Sequence, residues 1–436
     1  MKIRLLIIVF SALFAYTAFG QETGDFDKTY TFNGEERTVA YSVPDDYNPD
    51  STYNLMIALH GLGDTGTNFR NSIAQYWSND LPNTILVFPD GGEDRTSDFY
   101  APQGDEQFIF NIMDTVINNY NIDPDEIILE GFSLGGRSAL KMGLDNPELF
   151  KGLLLHTPAA QGHLDALNDP NAGLNYNYSN ASQIPIIITH GSDDATYLEI
   201  DRIIEEQLIL NNGIVRRFLL QMGHTIPVSS QFTNFCMSFF DDPYYLEKDI
   251  EARKIISRKR TCSANTTPVV GFRNLGSETI NEATFLYDLN GITNTFSWTG
   301  ELSSYEYTEI EMEELELNEG NNTVRIFGVT INDGENDEVP NNDTVTTDIF
   351  YEAQSNLLPV SYGFEGPPEE YWELNSSGNI FTWTLSEGNS SEGSNSLMTL
   401  NTILIFYSEG SREELLSPSL NLTSMDDPEI RFDLAH

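Results

Sequence analysis

The chain has 436 residues, 39% of them hydrophobic and 11% aromatic, enough for about three domains at roughly 150 residues each and too apolar for general disorder. Its 67 acidic residues against 22 Lys and Arg leave a formal charge of −45, which argues against nucleic acid or an anionic lipid surface as a partner, since both are bound through Lys and Arg. Two cysteines and six scattered histidines supply neither a disulfide framework nor the three or four convergent ligands of a zinc site, so no metal is expected.

The N-terminus reads as an address. Lys2 and Arg4 precede an apolar run over 5–19, and Ala18-Phe19-Gly20 offers small residues where a signal peptidase reads. This predicts a secretory signal over 1–20. A membrane anchor is the other reading, but the run is short for a span. No later run approaches the roughly 18 apolar residues that a span needs. The mature protein is therefore expected to be secreted or at the cell surface, with no transmembrane segment.

Over 22–250, strand-like and helix-like patterns alternate. Strands are predicted at 38–43, 55–60, 84–88, 126–130, 152–156, 184–189 and 215–221. Several are continuous apolar runs, as expected of strands buried on both faces. Helices are predicted between them at 69–77, 107–120, 134–144, 197–210 and 231–239. The alternation implies an α/β domain with a mostly parallel sheet. A charged stretch follows, with Glu247, Asp249 and Glu251 ahead of Lys254, Arg258, Lys259 and Arg260. Acid before base suits the helix dipole, so 251–262 is expected to be a solvated helical linker. Its basic run is also a candidate cleavage point. Cys236 and Cys262 bracket this stretch. In an oxidising compartment they have the option of pairing, which would contribute about 3–4 kcal/mol, or of remaining two thiols.

After Cys262 the chain contains no lysine and only Arg273, Arg325, Arg412 and Arg431. Short alternating runs at 268–272, 284–287, 323–329 and 344–351 are separated by turn clusters such as Asn332-Asp333-Gly334. This is β-sandwich patterning, assigned to 263–355. A further β domain is expected over 356–436, where Trp372 and Trp383 flank turn-rich sequence. The chain stops within what reads as a strand, Phe432-Asp433-Leu434-Ala435-His436, so this domain is expected to be incomplete.

The segment Gly131-Phe132-Ser133-Leu134-Gly135 follows a predicted strand and precedes a predicted helix. G-x-S-x-G in that setting makes a tight turn that exposes the serine Oγ above a sheet, beside a helix N-terminus. A serine hydroxyl needs a general base, an orienting carboxylate and donors for an oxyanion. Candidates occur in the order Ser, Asp, His. His190-Gly191-Ser192-Asp193-Asp194 closes one apolar strand and Met222-Gly223-His224 closes the next, which places Asp194 and His224 at strand carboxyl ends, where α/β sheets build sites. The loop His60-Gly61-Leu62-Gly63-Asp64 follows another strand. Its Leu62 N–H is the expected first oxyanion donor, and Leu134 N–H, directly after the serine, the second.

The block Leu59-His60-Gly61-Leu62-Gly63-Asp64-Thr65-Gly66, together with Gly131 to Gly136, His190 to Asp194 and Gly223-His224, resembles the phospholipase/carboxylesterase (acyl-protein thioesterase) family. The same set is similar to secreted polyhydroxybutyrate depolymerases and to feruloyl and acetylxylan esterases. All are α/β-hydrolases of the dienelactone-hydrolase-like branch, and the likeness covers about 35–245. It implies serine esterase chemistry on Ser133, Asp194 and His224, with the acid four residues after the histidine of His-Gly, hence Asp194 rather than Asp193. Leu134 departs from the glutamine usual in the thioesterase group, although its backbone donor survives. Farther on, Ser297-Trp298-Thr299-Gly300-Glu301-Leu302 and 332–342 resemble an Ig-like repeat of proteins exported by the type IX system. Leu416-Ser417-Pro418 with Ile430-Arg431-Phe432-Asp433 looks like the opening of a jelly-roll module. These likenesses imply glycan or cell-surface contact.

The expected fold is therefore an α/β-hydrolase domain with a mostly parallel sheet, an Ig-like β-sandwich and a partial jelly-roll-like β domain. The expected function is an exported serine carboxylesterase without a cofactor, acting on neutral or polymer-linked esters such as acylated polysaccharide or polyester. The alternative is a non-catalytic, adhesin-like scaffold. Phe99 and Tyr100 are candidates to line an acyl or aromatic pocket. His60, His156 and His190 end strands and read as structural. The acidic stretch Asp333, Glu335, Asp337, Glu338 and Asp343 reads as a solvated turn, with calcium through oxygen ligands as the other option.

Overall fold

The computed structural model describes residues 21–91, 105–159, 176–194 and 197–353, with short strands and single residues beyond 372. The expected signal at 1–20, Phe99 and Tyr100 lie outside the described residues. Among the described residues no helix is long and apolar enough to cross a membrane.

An eight-stranded sheet runs in the order β1-β2-β4-β3-β5-β6-β7-β8. Its strands are β1 (Gly24–Phe32), β2 (Glu35–Val43), β3 (Tyr53–Leu59), β4 (Thr84–Pro89), β5 (Ile122–Phe132), β6 (Gly152–His156), β7 (Ile186–Gly191) and β8 (Val215–Leu220). The first two pairings, β1 with β2 and β2 with β4, are antiparallel. From β4 through β8 every pairing is parallel. The seven predicted strands are all present. β1 was not predicted, although the Asn33-Gly34 turn that joins it to β2, with φ of 51° and 89°, is the usual chemistry of a tight hairpin.

Helices cover both faces, which is why the central strands are apolar throughout. On one face α1 (Gly66–Asp80) and α5 (Ser230–Asp241) place Phe69, Trp77, Cys236, Phe239 and Phe240 against Met56, Ala58, Phe88 and Leu154. On the other, α2 (Asp105–Asn119), α3 (Leu134–Asp145) and α4 (Leu198–Leu210) contribute Phe108, Ile112, Leu140, Ile204 and Leu208 against Leu55, Ile57, Leu129 and Ile188. Cys236 is buried in α5 and Cys262 is exposed, and both are free thiols.

The expected helical linker is a strand. β9 (Ile250–Ile256) buries Ile250, Ala252 and Ile255 and pairs antiparallel with β12 (Val269–Asn274). Two-residue periodicity at Ile250 and Ala252 overrides the charge order that suggested a helix. The charges find partners across space instead of along one helix. Arg253 Nη1 donates to Glu205 Oε1 at 3.1 Å and Lys254 Nζ to Glu206 Oε1 at 3.0 Å, both on α4. The β-sandwich therefore begins at β9, ahead of the expected boundary at 263.

β9, β12 and β15 (Tyr307–Glu311) form one sheet of the sandwich. β10 (Arg260–Thr261), β13 (Ile280–Leu289), β14 (Ile292–Leu302), β17 (Gly320–Ile331), β18 (Glu335–Asn336) and β19 (Val345–Tyr351) form the other. A short pair, β11 (Asn265–Thr266) with β16 (Leu315–Glu316), stands apart from them. Ile250, Val270 and Phe272 meet Phe285, Phe296, Val324 and Ile326 between the sheets. The acidic stretch is only partly the solvated turn expected. Asp333 and Glu335 are exposed, but Asp337 and Asp343 are buried, because Asp337 accepts the Ile250 and Val339 N–H groups at 2.5 Å each. Among the described residues no group of three or more His, Cys, Asp or Glu is placed to hold a metal ion.

Beyond 372, β20 (Glu373–Ser377) pairs with β23 (Arg412–Leu416) and β21 (Trp383–Glu387) with β22 (Asn395–Thr399). Most of the expected jelly-roll region lies outside the described residues.

Candidate active site

β5 ends in a turn that few sequences tolerate. Ser133 adopts φ 54° and ψ −116°, a conformation that strains any residue with a Cβ. The glycines on either side make the turn possible. A Cβ on Gly131 would lie 2.3 Å from the Gly135 carbonyl oxygen, and one on Gly135 would lie 2.0 Å from that of Leu59. Close passage of β5, α3 and the end of β3 is what lifts Ser133 above the sheet. Its N–H donates to His156 O at 3.0 Å and its carbonyl accepts from Arg137 and Ala159 N–H at 3.1 and 2.9 Å.

Two further loops converge on this serine. After β7, Ser192 N–H donates to Leu220 O at 2.8 Å and Asp193 N–H to Met222 O at 3.1 Å. These bonds zip the loop that carries Asp194 to the loop that carries His224. A Cβ on Gly191 would sit 2.2 Å from Met222 O, so this contact needs glycine. His224 Nδ1–H donates to Asp194 Oδ2 at 2.5 Å, and its Nε2 accepts from Ser133 Oγ at 2.9 Å. The expected Ser133, Asp194 and His224 are thus brought into one hydrogen-bonded line, whereas Asp193 is exposed. Asp194 and Ser133 are each 7% exposed, whereas His224 between them is exposed, so the imidazole meets solvent while its two partners are buried.

The loop after β3 passes directly over the elbow, since a Cβ on Gly61 would lie 3.2 Å from the Ser133 Cβ. That puts Leu62 beside the serine. Its side chain is 69% exposed, while Leu134 opens α3. His60 holds the loop down. It is fully buried, its Nδ1–H donates to Gly61 O at 2.8 Å and its Nε2 accepts Gly91 N–H at 3.1 Å, the structural part expected of it.

Sequence reasoning missed what surrounds the imidazole. The His224 ring lies 5.0 Å from the Phe132 ring and 5.2 Å from that of Tyr197, centroid to centroid. Phe132 is the variable residue inside the G-x-S-x-G pattern, and Tyr197 precedes α4. Neither carries a chemical signature of its own. Beneath the elbow lie two buried titratable groups. Burial pushes the Glu130 carboxyl well up and the His156 imidazole down to about 3, so burial favours the neutral form of each. His156 Nδ1 meets Thr189 Oγ1 at 2.7 Å.

A strained serine bonded to a carboxylate-oriented imidazole is the constellation of nucleophilic acyl transfer. Residues 31–225 match the family model Esterase, described as putative esterase. Within the N-terminal α/β domain this stretch is therefore similar to esterases. Over 105 residues the chain is 30% identical to the bifunctional acetylxylan esterase/xylanase XynS20E of Neocallimastix patriciarum, covering 24% of this chain and 15% of that protein. Over 201 residues it is 24% identical to feruloyl esterase D of Neurospora crassa, covering 42% of this chain and 63% of that protein. The chain thus spans less than two thirds of either relative. Among solved structures, fluorophosphonate-binding serine hydrolase F of Staphylococcus aureus aligns at 15% identity and a TM-score of 0.42, over 50% of this chain and 98% of that one.

Proposed function

We propose that the protein is an exported serine carboxylesterase acting on neutral esters borne by extracellular polymers. The observation that carries this reading is the unbroken line from Asp194 through His224 to Ser133, at 2.5 and 2.9 Å. In the reaction Ser133 Oγ attacks the ester carbonyl while His224 Nε2 takes its proton. Asp194 holds the ring with Nδ1–H fixed and stabilises the imidazolium. The Leu62 and Leu134 N–H groups receive the negative charge that develops on the carbonyl oxygen. Collapse of the tetrahedral intermediate expels the alcohol, which takes the proton back from His224. Water, activated by the same base, then releases the acid and restores Ser133.

The N-terminal signal pattern supports export, and the acidic surface disfavours anionic substrates. Relatives described as acetylxylan and feruloyl esterases favour acyl groups on polysaccharide over soluble thioesters. The β-rich region is consistent with retention on a polymer or a cell surface. Hydrolysis of p-nitrophenyl acetate, butyrate and octanoate and of methyl ferulate should depend on Ser133. Ser133→Ala should lower kcat by about 10⁴-fold or more, and the substrate profile reads the acyl preference. Equal turnover by the variant, or no turnover together with no fluorophosphonate labelling, overturns the reading in favour of a scaffold.

A further inference from the structure

Asp194 stands on a loop, yet the mechanism needs its carboxylate fixed to within a fraction of an ångström. Its main chain is held on both sides. Its N–H donates to Gly191 O at 3.0 Å. Its carbonyl accepts the Nε2–H of His190 at 2.9 Å, and the same nitrogen lies 4.0 Å from Asp194 Oδ2.

His190 is fully buried at the end of β7, and its Nδ1 is hydrogen-bonded to Oδ2 of Asp201, also fully buried. Asp201 belongs to the first turn of α4, its N–H bonded to Tyr197 O at 3.0 Å. The ring therefore bridges three elements: the strand that bears it, the loop of the acid and the helix after that loop. Burial acts against charge on the ring, but the hydrogen bonds to Asp201 and to the Asp194 carbonyl and the two carboxylates outweigh it, and the His190 pKa is raised. From β8, Arg217 faces Asp201 across the same interior and is itself bonded to Glu205 at 2.6 Å.

Burying an imidazole–carboxylate pair costs solvation, and an apolar pair of the same volume would fill the space as well. Packing alone does not account for it. We propose that His190 and Asp201 are positioning residues for Asp194: Asp201 fixes the rotamer of His190, and His190 Nε2–H clamps the peptide of the acid so that its carboxylate meets His224 Nδ1. The inference rests on the reading of Asp194 as the orienting acid. It adds two residues that touch neither substrate nor the reacting serine.

His190→Ala and Asp201→Ala remove the clamp. His190→Gln keeps an N–H able to reach the Asp194 carbonyl, and Asp201→Asn keeps a hydrogen bond to Nδ1. With the full chain and p-nitrophenyl acetate, the alanine variants should lose about 30-fold in kcat with KM within about twofold. The conservative variants should return to within about fivefold of wild type. Unchanged kcat in the alanine variants overturns the proposal. So does an equal fall in the conservative ones, which would mark general structural damage. Hydrogen exchange at the Asp194 amide supplies a readout independent of turnover. It should speed up about tenfold or more in the alanine variants alone, and unchanged exchange overturns the clamp. Failure of the esterase reading shows separately, as absence of Ser133-dependent turnover in the wild type.

Discussion

At the scale of single residues, the site depends on where a side chain is forbidden as much as on where one is present. Gly135 and Gly223 look alike in sequence, each one residue from a functional group or a turn. In the structure a Cβ on Gly135 would lie 2.0 Å from the Leu59 carbonyl oxygen, whereas one on Gly223 would meet nothing within 4 Å. The backbone around Gly135 is fixed by β3 and β5 and cannot move aside. Gly135→Ala should therefore destabilise the protein by about 2 kcal/mol or more and abolish fluorophosphonate labelling of Ser133. Gly223→Ala should leave the midpoint of urea unfolding within about 0.5 kcal/mol of wild type. The triad was legible because each member ends a strand inside a short local pattern. The His190–Asp201 pair was not, because Asp201 meets His190 only once α4 has folded back onto the end of β7. Asp201 appears in sequence as one more acid on an amphipathic helix.

At the scale of elements, alternation of apolar runs and helical periods predicts seven of the eight strands of the large sheet and five helices to within a few residues. Two elements escaped. β1 alternates half-buried and exposed residues with none fully buried, a weaker mark than the apolar runs of the central strands, though Phe26, Tyr30 and Phe32 alternate on the core side and the Asn33-Gly34 turn follows. β9 was hidden by its charges, whose sequence order imitates a capped helix while their partners sit on α4. The acidic loop that packs on β9 makes a testable case. Burial first, then the neighbouring Asp337 and Asp249 carboxylates, push the Asp343 carboxyl up to about 8. The folded state therefore keeps a proton that the unfolded chain releases near pH 4. Between those values the native state binds more protons, so this group lowers stability as pH rises from about 4 to about 8. Asp343→Asn should unfold at the same temperature as wild type near pH 4 and at a higher one near pH 8, with a gap of a few kcal/mol. Calorimetry across that range checks it, and parallel profiles for the two proteins would refute the assignment.

At the scale of the whole molecule, the sandwich is seated on the hydrolase domain by a buried cation. Arg273, on β12, is 2% exposed. Its Nη1 donates to Val215 O at 3.2 Å and its Nη2 to Gly213 O, at the start of β8. The Tyr305 ring lies 5.0 Å from the guanidinium, and the Tyr305 hydroxyl donates to Pro243 O at 2.6 Å. Around this centre Arg216 approaches Asp249 at 3.5 Å, and Arg253 and Lys254 reach α4. None of this was legible from sequence, because the partners of Arg273 are main-chain carbonyls and leave no mark on residue identity. Burial lowers the Arg273 pKa to about 10, so the side chain stays charged at neutral pH. Its removal takes a donor from the Val215, Gly213 and Tyr305 carbonyls and opens a cavity. Arg273→Ala should therefore cost about 3–5 kcal/mol, most of it in the contact between the domains, where Leu275 and Tyr305 of the sandwich join the hydrolase core. Wild-type protein should unfold in one calorimetric transition. The variant should unfold in two, one for each domain, with Ser133-dependent esterase activity following the transition of the hydrolase domain. A single transition moved only slightly would mean that the ion pairs to α4, and not Arg273, hold the domains together. Arg253→Ala with Lys254→Ala would then be the pair that separates them. Those pairs are only partly buried, with Arg253 and Lys254 each half-exposed, whereas Arg273 is fully buried and least screened by salt, so the predicted order is that Arg273 dominates at every ionic strength.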